Sequence, residues 1–222
     1  MDAIVVKIGG SLAMQPNKLK DLCAKLGEAS KRHKLIVVPG GGEFADMVRM
    51  YDKEFGLPRQ ISHRMAILAM DQYGLFLSTL VPRSVIVNKF EDLPEAVTLH
   101  RLVVFLPSNF LFCDNSLNNS WDVTSDSIAV YITQKLGMSK TVLVTDVDGI
   151  FTRNPKKFSN AKLLPKLSAQ NLLTVSERTS VDLFLPNLLL IQQVECFVVN
   201  GLYPERVITI LDGKEPLCTK IS

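Results

Sequence analysis

The sequence predicts an α/β protein in which helices cover both faces of a mainly parallel sheet. Short runs rich in Val and Ile alternate with segments of helical periodicity, which indicates βαβ units. The runs lack clean apolar–polar alternation, as expected of strands buried on both faces. We predict strands over residues 3–8, 35–38, 84–87, 102–106, 141–145 and 195–199.

The segments between these runs predict the helices. One apolar stripe at helical spacing is formed by Leu19, Leu22, Cys23 and Leu26. The third of four further helices has a Thr or Ser cap and ends at Gly137, and the fourth is expected to bend near Pro186. These further helices are predicted over residues 43–55, 59–80, 124–136 and 180–193. Polar, turn-rich residues predict exposed loops at 113–120 and 152–162.

Length and composition narrow the class of protein. The 222 residues show no internal composition shift, so we expect one domain over residues 1–222. The net charge of +3, without a polybasic run, argues against a nucleic-acid partner. Four scattered cysteines argue against a disulfide framework or a zinc site. The sequence begins without a signal-like segment, and no apolar run is long enough to span a bilayer. We therefore expect a cytoplasmic protein with no membrane partner.

Glycine-rich turns follow three of the predicted strands. They are Gly9-Gly10 after Lys7-Ile8, Gly40-Gly41-Gly42 after Pro39, and the segment Asp146-Val147-Asp148-Gly149. Ligands of open α/β sheets bind beyond the carboxyl ends of the strands. Glycines let backbone N–H groups approach a phosphate closely, and a following helix adds its positive N-terminal end. Two such turns on neighbouring strands, with one lysine, suit phosphoryl transfer between two bound phosphates.

A single glycine turn is as often an ordinary tight turn, so the prediction depends on the three occurring together. The sequence contains neither GxxxxGK[ST] nor GxGxxG. An ordinary P-loop or Rossmann site is therefore not expected.

The ordered segments VVKIGGS, VVPGGGEFAD, DVTSDSIA, VTDVDGIFT and NGLYPERV resemble the amino acid kinase superfamily. The resemblance spans nearly the whole chain. It implies a three-layer αβα sandwich around a mainly parallel sheet, the use of ATP with Mg²⁺, and a small-molecule acceptor. Members often self-associate, and the apolar helix at 59–80 is a candidate interface of a homo-oligomer.

The resemblance also implies roles for individual residues. Lys7 matches the lysine that stabilises the transferring phosphoryl group, and Asp126 matches the acidic residue that organises it. The first glycine turn, Gly9 and Gly10, contacts phosphate. The substrate side is formed by Gly40, Gly41 and Gly42. The nucleotide is expected at Thr145, Asp146, Asp148, Gly149, Phe151 and Asn154, although Phe151 is also a plausible core residue.

The chain departs from the family pattern at the second catalytic lysine. Many members carry a lysine before the helix near residue 180, whereas this chain has none there. Arg178 could supply the charge, or Lys162 or Lys166 could reach the site, so this role stays unassigned.

Three segments, MAILAMDQYGLFLSTL, SWDVTSDS and TSVDLFLP, are similar to the kinases of methanofuran biosynthesis. This similarity implies that an aminomethylfuran methyl phosphate is converted to its diphosphate. Trp121 could stack on a flat ring or cover an amine, and equally could be a packing residue. A substrate ammonium could pair with Asp71, Asp46 or Asp122, and His63 is expected to be structural. Other activities of the superfamily, on uridylate, acetylglutamate or isopentenyl phosphate, remain alternatives.

Two classes outside the kinases also remain. The run TVLVTDVDGIFT resembles the first motif of haloacid-dehalogenase phosphatases, with Asp146 as nucleophile and Asp148 as acid/base. That interpretation leaves the other two glycine turns without a role. The missing second lysine would also fit a non-catalytic protein that binds nucleotides or anions.

Overall fold

A computed structural model describes residues 3–114, 116–174, 180–191 and 194–222. Within these ranges, eight strands form one sheet. In chain order they are β1 (Ile4–Ile8), β2 (Leu35–Pro39), β3 (Val85–Val87), β4 (Leu102–Phe105), β5 (Lys140–Thr145), β6 (Lys166–Leu167), β7 (Glu195–Asn200) and β8 (Thr219–Ile221).

The strand order across the sheet is β3-β4-β2-β1-β5-β7-β8-β6. In the described sheet β7 and β8 pair antiparallel, and every other neighbouring pair is parallel. The prediction of a mainly parallel α/β sheet is therefore confirmed. Strand β1 lies between β2 and β5, with Lys7 in register with Val38 and Leu143. This order brings the three glycine turns to one edge of the sheet.

Each central strand buries apolar side chains on both faces. On β1, Val5 packs in one core cluster and Val6 in the other, and both are fully buried. Burial on both sides explains why the sequence runs are continuously apolar. Since side chains alternate along a strand, Lys7 points to the same face as Val5.

Helices flank the sheet on both faces, which gives the three layers. They are α1 (Pro16–Ala29), α2 (Gly42–Phe55), α3 (Arg59–Leu80), α4 (Leu93–His100), α5 (Ser108–Cys113), α6 (Ser125–Lys135), α7 (Ala169–Thr174), α8 (Leu185–Ile191) and α9 (Pro204–Leu211). Helices α1 and α9 cover one face, while α6 and α8 cover the other.

The predicted helix over 180–193 is wrong at its start, because α8 begins only at Leu185. Backbone N–H groups of Phe184 and Leu185 donate to the side chain of Asp182, so the chain before α8 is fixed by a carboxylate. Pro186 lies in the first turn, where a proline needs no N–H partner and causes no bend.

The start of α6 also differs in detail from the prediction. Thr124 occupies the N-cap position, but its side chain accepts no bond from the helix. Its hydroxyl donates to Asp182, which also accepts from the backbone N–H of Ser127. The predicted end of the helix is confirmed, since Gly137 has a left-handed φ of 63°.

Two further observations concern the cysteines and the helices. All four thiols are free, and three are buried while Cys113 is exposed. Within the described ranges, no helix has the length and apolarity needed to cross a membrane.

Candidate active site

The first two glycine turns touch each other at the carboxyl edge of the sheet. A Cβ added to Gly10 would lie 2.2 Å from the backbone nitrogen of Gly42. Gly42 itself has a left-handed φ of 54°, which favours glycine. Gly40 supports the contact from behind, because its N–H donates to the carbonyl of Ile8 at 2.8 Å. Only glycines allow this approach of two backbones.

The other half of the first turn faces strand β5. The N–H of Gly9 donates to the carbonyl of Val144 at 2.8 Å, and a Cβ added to Gly9 would meet that oxygen at 2.9 Å. The same Cβ would lie 3.6 Å from the Cα of Thr145. The Gly9-Gly10 turn therefore separates the turn after β2 from the turn after β5.

Lys7 and Asp126 form a buried ion pair beside this turn. The Nζ of Lys7 lies 2.7 Å from Oδ1 of Asp126, and each side chain is only 9% exposed. Asp126 lies in the first turn of α6, where the positive helix end also favours a carboxylate. The predicted association of these two residues is present, and the ammonium also lies 3.7 Å from the Cβ position at Gly9.

A cavity of about 340 Å³, which we call the first cavity, opens beyond Gly10 and Gly42. Its apolar wall includes Met14, Ile67, Met70, Trp121 and Val123. Its polar lining includes Ser11, Glu43, Asp46, Arg49, His63, Thr124 and Ser125. The mixture of apolar and charged lining residues suits a small molecule with both apolar and polar groups.

Trp121 is fixed against helix α2 at the wall of the first cavity. Its indole N–H donates to Oδ2 of Asp52 at 2.7 Å. The guanidinium carbon of Arg49 lies 4.8 Å from the ring centroid, a cation–π contact, and Arg49 also pairs with Asp46 at 2.6 Å. Trp121 thus lines the cavity as predicted, while Asp46 already has a cationic partner.

Two other residues considered from sequence lie near this cavity. Burial lowers the pKa of His63, while a hydrogen bond to the Ser120 backbone opposes that shift. Asp71 accepts a bond from the backbone N–H of Ser108 at 3.3 Å, and burial raises its pKa. Asp71 is not among the described residues that line the first cavity. Its role as a substrate ligand stays a prediction.

A second cavity of about 220 Å³ lies on the other side of the Gly9-Gly10 turn, beyond β5. Five of the residues predicted to hold the nucleotide line it, namely Thr145, Asp146, Gly149, Phe151 and Asn154. The remaining lining residues are Val147, Arg153, Pro155, Lys156 and Ser180. One face of Phe151 is therefore available to a ligand.

The turn at Gly149 is held by strand β8. Gly149 has a φ of 146°, and an added Cβ would lie 2.5 Å from Oγ1 of Thr219. That hydroxyl accepts the N–H of Ile150 at 2.8 Å and donates to the carbonyl of Leu164 at 2.6 Å. A residue far along the chain thus fixes the floor of the second cavity.

Asp148 is turned away from the second cavity and is held by two residues that the sequence analysis did not assign. The guanidinium of Arg206 lies 2.5 Å from Oδ1 of Asp148, and the amide of Asn200 donates to the same oxygen at 2.9 Å. Asp148 is not among the described residues that line the second cavity. Both partners come from the NGLYPERV segment, whose position after β7 could have suggested them.

The structure adds Lys156 to the candidates for the second positive charge. Arg178 lies outside the described residues. Lys166 is exposed and pairs with Glu215 at 3.6 Å, and Lys162 is also exposed. Lys156 lines the second cavity and pairs with Asp146 at 2.5 Å, so it is the lysine that reaches this site.

Oxygen ligands in the second cavity fit a magnesium ion that arrives with a nucleotide. Mg²⁺ is usually held by one or two carboxylates together with phosphate oxygens and water. Asp146 supplies a carboxylate at the cavity wall, and Thr145 supplies a hydroxyl. Among the described residues, no three His, Cys, Asp or Glu side chains cluster as a metal site of their own.

Comparisons with known proteins identify the family of the chain. A model of the amino acid kinase family matches residues 2–200. The [5-(aminomethyl)furan-3-yl]methyl phosphate kinase of Methanocaldococcus jannaschii is 36% identical, over 98% of this chain and 96% of its own length. The molybdenum storage protein subunit beta of Azotobacter vinelandii is 26% identical, over 96% of this chain and 83% of its own.

A solved structure has the same fold. The crystal structure of uridylate kinase from Archaeoglobus fulgidus superimposes with a TM-score of 0.80 and 22% identity, covering 100% of both chains. The three-layer architecture expected from the sequence is thereby confirmed.

Proposed function

The chain belongs to the amino acid kinase family, and on that basis we propose that it transfers the γ-phosphoryl group of ATP to a small molecule that already carries a phosphate. One observation supports this most directly. Gly10 lines the first cavity, while Gly9 packs against Val144 and Thr145, and Thr145 lines the second cavity. The ammonium of Lys7 lies beside Gly9, between the two. A donor on one side and an acceptor on the other would meet at this turn.

ATP binds in the second cavity in this proposal. The adenosine end lies among Phe151, Asn154 and Pro155, and the phosphates extend toward Gly9. Lys156 adds positive charge on the same side. Bound Mg²⁺ would offset the charge of the phosphate oxygens.

Lys7 acts on the phosphoryl group as it passes between the cavities. Phosphoryl transfer requires alignment of the two reactants and neutralisation of charge on the transferring group. The ammonium of Lys7 supplies that charge from a fixed position, because Asp126 holds it. A preorganised charge of this kind lowers the barrier without reorganising during the reaction.

The acceptor phosphate lies against Gly10, Gly41 and Gly42 in the first cavity. Its oxygens are already anionic at neutral pH, so the attack needs no general base. His63 lines this cavity, but its lowered pKa and its bond to the Ser120 backbone fit a neutral structural histidine.

We propose that the acceptor is [5-(aminomethyl)furan-3-yl]methyl phosphate and that the product is its diphosphate. The relative at 36% identity supports this choice. The ring would pack on Trp121 and Met70, and its ammonium would approach Glu43, for which no ion pair is found among the described residues. Asp46 is a weaker candidate because Arg49 already neutralises it.

An acceptor screen tests the proposal. Purified protein with ATP and Mg²⁺ is supplied with the furan phosphate, UMP, acetylglutamate or isopentenyl phosphate, and ADP formation is measured. We expect the furan phosphate to give the highest kcat/KM and a diphosphate signal by ³¹P NMR. A higher kcat/KM with UMP, acetylglutamate or isopentenyl phosphate would show that the proposed acceptor is wrong, while the protein would still be a kinase.

The molybdenum storage protein among the relatives keeps one alternative open, a non-catalytic binder on the same scaffold. ATP binding by calorimetry without ADP formation from any acceptor would favour it. A phosphatase of the haloacid-dehalogenase type is disfavoured. Its two aspartates would be Asp146 and Asp148, which pair with Lys156 and Arg206 instead.

We further propose a cytoplasmic homo-oligomer whose protomer is one domain. Apolar side chains of α2 and α3 are exposed together on the surface, including Met50, Phe55, Leu68 and Leu75. A second copy would bury them. Sedimentation velocity should show a dimer or a larger oligomer. The double variant Leu68→Glu with Leu75→Glu should shift the population toward the monomer. A monomeric unaltered protein at micromolar concentration would contradict this.

A further inference from the structure

Asp182 accepts hydrogen bonds from six donors although it is only 7% exposed. Its Oδ2 accepts from the Thr124 N–H, the Thr124 hydroxyl and the Ser127 N–H, each at 2.9 Å. Its Oδ1 accepts from the Ser127 hydroxyl at 2.5 Å, and from Phe184 and Leu185 N–H groups at 3.2 and 2.9 Å. Such a set of donors stabilises an ionised carboxylate.

The carboxylate binds the starts of two helices at once. Thr124 and Ser127 belong to the start of α6, while Phe184 and Leu185 belong to the start of α8. Thr124 is a residue type that caps helices by itself. Here its hydroxyl instead donates to Asp182, so the position of α6 depends on a residue more than fifty positions later in the chain.

The same short segment contacts both cavities. Two residues before Asp182, Ser180 lines the second cavity and donates its hydroxyl to the carbonyl of Gly149 at 2.9 Å. On the other side, Thr124 lines the first cavity, and Asp126 at the start of α6 holds Lys7. The segment from Ser180 to Asp182 thus joins the nucleotide-side turn to the residues around the transferring group.

We propose that Asp182 is a positioning residue for phosphoryl transfer, which sets the Lys7–Asp126 pair and the start of α6 relative to the turn at Gly149. It touches neither cavity in the described structure and acts through other residues. Burial and the negative charge of Asp126 raise the pKa of Asp182, and its bonds from Ser127 and Thr124 oppose that rise. Because all six hydrogen bonds are donated to the side chain, their geometry fits the ionised carboxylate, which only accepts.

The test compares Asp182→Asn with a substitution of another buried polar residue, Thr133, which lies on α6. Asn keeps the shape of the side chain, but its NH2 group replaces one carboxylate oxygen. That group cannot accept the hydrogen bonds that the oxygen accepts in the unaltered protein. We expect kcat to fall about 10- to 100-fold, as small misplacements of reacting groups do, with the KM for ATP within about threefold. Thr133→Ala is the control, since Thr133 is fully buried and its hydroxyl, among the described residues, bonds the carbonyl of Ala129 and the hydroxyl of Thr141. It should lower the melting temperature and leave kcat within about twofold.

A second measurement reports the position of Lys7 directly. The ¹H–¹⁵N signal of the Lys7 ammonium should be visible in the unaltered protein and in Thr133→Ala, because the buried pair slows its exchange. It should be shifted or lost in Asp182→Asn. If that variant does not fold, Ser127→Ala removes only one donor and should lower kcat about three- to tenfold.

This inference rests on the kinase activity proposed above, but the two can fail separately. Absence of turnover in the unaltered protein would refute the proposed kinase activity. The ¹H–¹⁵N signal of the Lys7 ammonium would still decide whether Asp182 positions Lys7. An Asp182→Asn variant with an unchanged Lys7 signal, or with kcat within about twofold of the unaltered protein, overturns the role. If Ser127→Ala is the variant measured, an unchanged kcat overturns it equally.

Discussion

The ammonium of Lys7 and the carboxylate of Asp126 lie 2.7 Å apart with both side chains almost fully buried. Removing one member of such a pair leaves an uncompensated buried charge, which typically costs about 3–5 kcal/mol. Substitutions at either position are therefore expected to lower stability in addition to any effect on the proposed catalysis, and the two effects must be measured separately.

Lys7→Ala is expected to reduce kcat by at least about 100-fold, because its charge matters most in the transition state. The KM values should change much less. The double variant Lys7→Met with Asp126→Asn removes both charges and should recover most of the lost melting temperature. Recovery of kcat in that double variant would contradict the assignment of Lys7.

Gly10→Ala should abolish turnover, because the added methyl would overlap the backbone of Gly42. Gly56→Ala is the matched control: it has a left-handed φ of 60°, and nothing lies within 4 Å of the added carbon. It should cost about 1 kcal/mol of stability and retain activity. Full activity in Gly10→Ala would show that the two turns need not touch.

Trp121→Ala is expected to raise the KM for the acceptor about tenfold, the effect of losing roughly 1.4 kcal/mol of ring contact. The KM for ATP should not change, because Trp121 lines only the first of the two ligand cavities. Asp52→Ala removes the partner of the indole N–H and keeps the ring, so it should have a smaller effect. Equal changes in both KM values would argue against acceptor binding at Trp121.

Lys156→Ala should raise the KM for ATP by about tenfold, since one charge contact with a phosphate is lost. Lys157 is adjacent, carries the same charge and is not among the described residues that line the second cavity, so Lys157→Ala is the control. Initial-rate measurements at low ionic strength compare the two. An equal effect of both substitutions would indicate only general electrostatic attraction.

Asp114 anchors the loop before α6 through the hydroxyl of Tyr131, at 2.8 Å, and the ammonium of Lys135, at 3.1 Å. Burial acts to raise the pKa of Asp114, but bonds from Ser116, Tyr131 and Lys135 lower it overall. The ionised carboxylate of Asp114 therefore stabilises the folded state. This contribution is fully present above the pKa of an unfolded aspartate, about 3.9, and is lost as pH falls below that value.

Asp114→Asn should therefore lower the free energy of unfolding by about 1–2 kcal/mol at pH 7. The difference from the unaltered protein should shrink below about pH 4, in urea titrations at several pH values. Tyr131→Phe removes one donor and should give about half the loss. A difference that does not depend on pH would exclude the charge as its cause.

The sequence predicts the sheet edge well because its signals are local. Continuous apolar runs mark the strands, and the turns at Gly9, Gly40 and Gly149 lie where each strand ends. Their convergence follows from β1 lying between β2 and β5 in a parallel sheet. The association of Lys7 with Asp126 is predicted only by the family resemblance. Their spacing in the sequence alone does not indicate that they meet in the fold.

Contacts between distant segments could not be predicted in this way. Asp182 resembles any acid at the start of a helical pattern, and its six donors come from parts of the chain that meet only on folding. The same holds for Arg206, whose partner Asp148 belongs to another strand end. The short helices α4, α5 and α7 contain too few turns for a periodic signal.

The bond between Thr219 and the turn at Gly149 has a consequence for biosynthesis. The hydroxyl that fixes this turn follows Ile150 by 69 residues. At ordinary rates of translation, the ribosome needs roughly 3 to 14 seconds to add that stretch. The contact of Gly10 with Gly42 can form much earlier. A nascent chain would therefore form the contact between the first two glycine turns first, and would fix the turn at Gly149 only after Thr219 has been added.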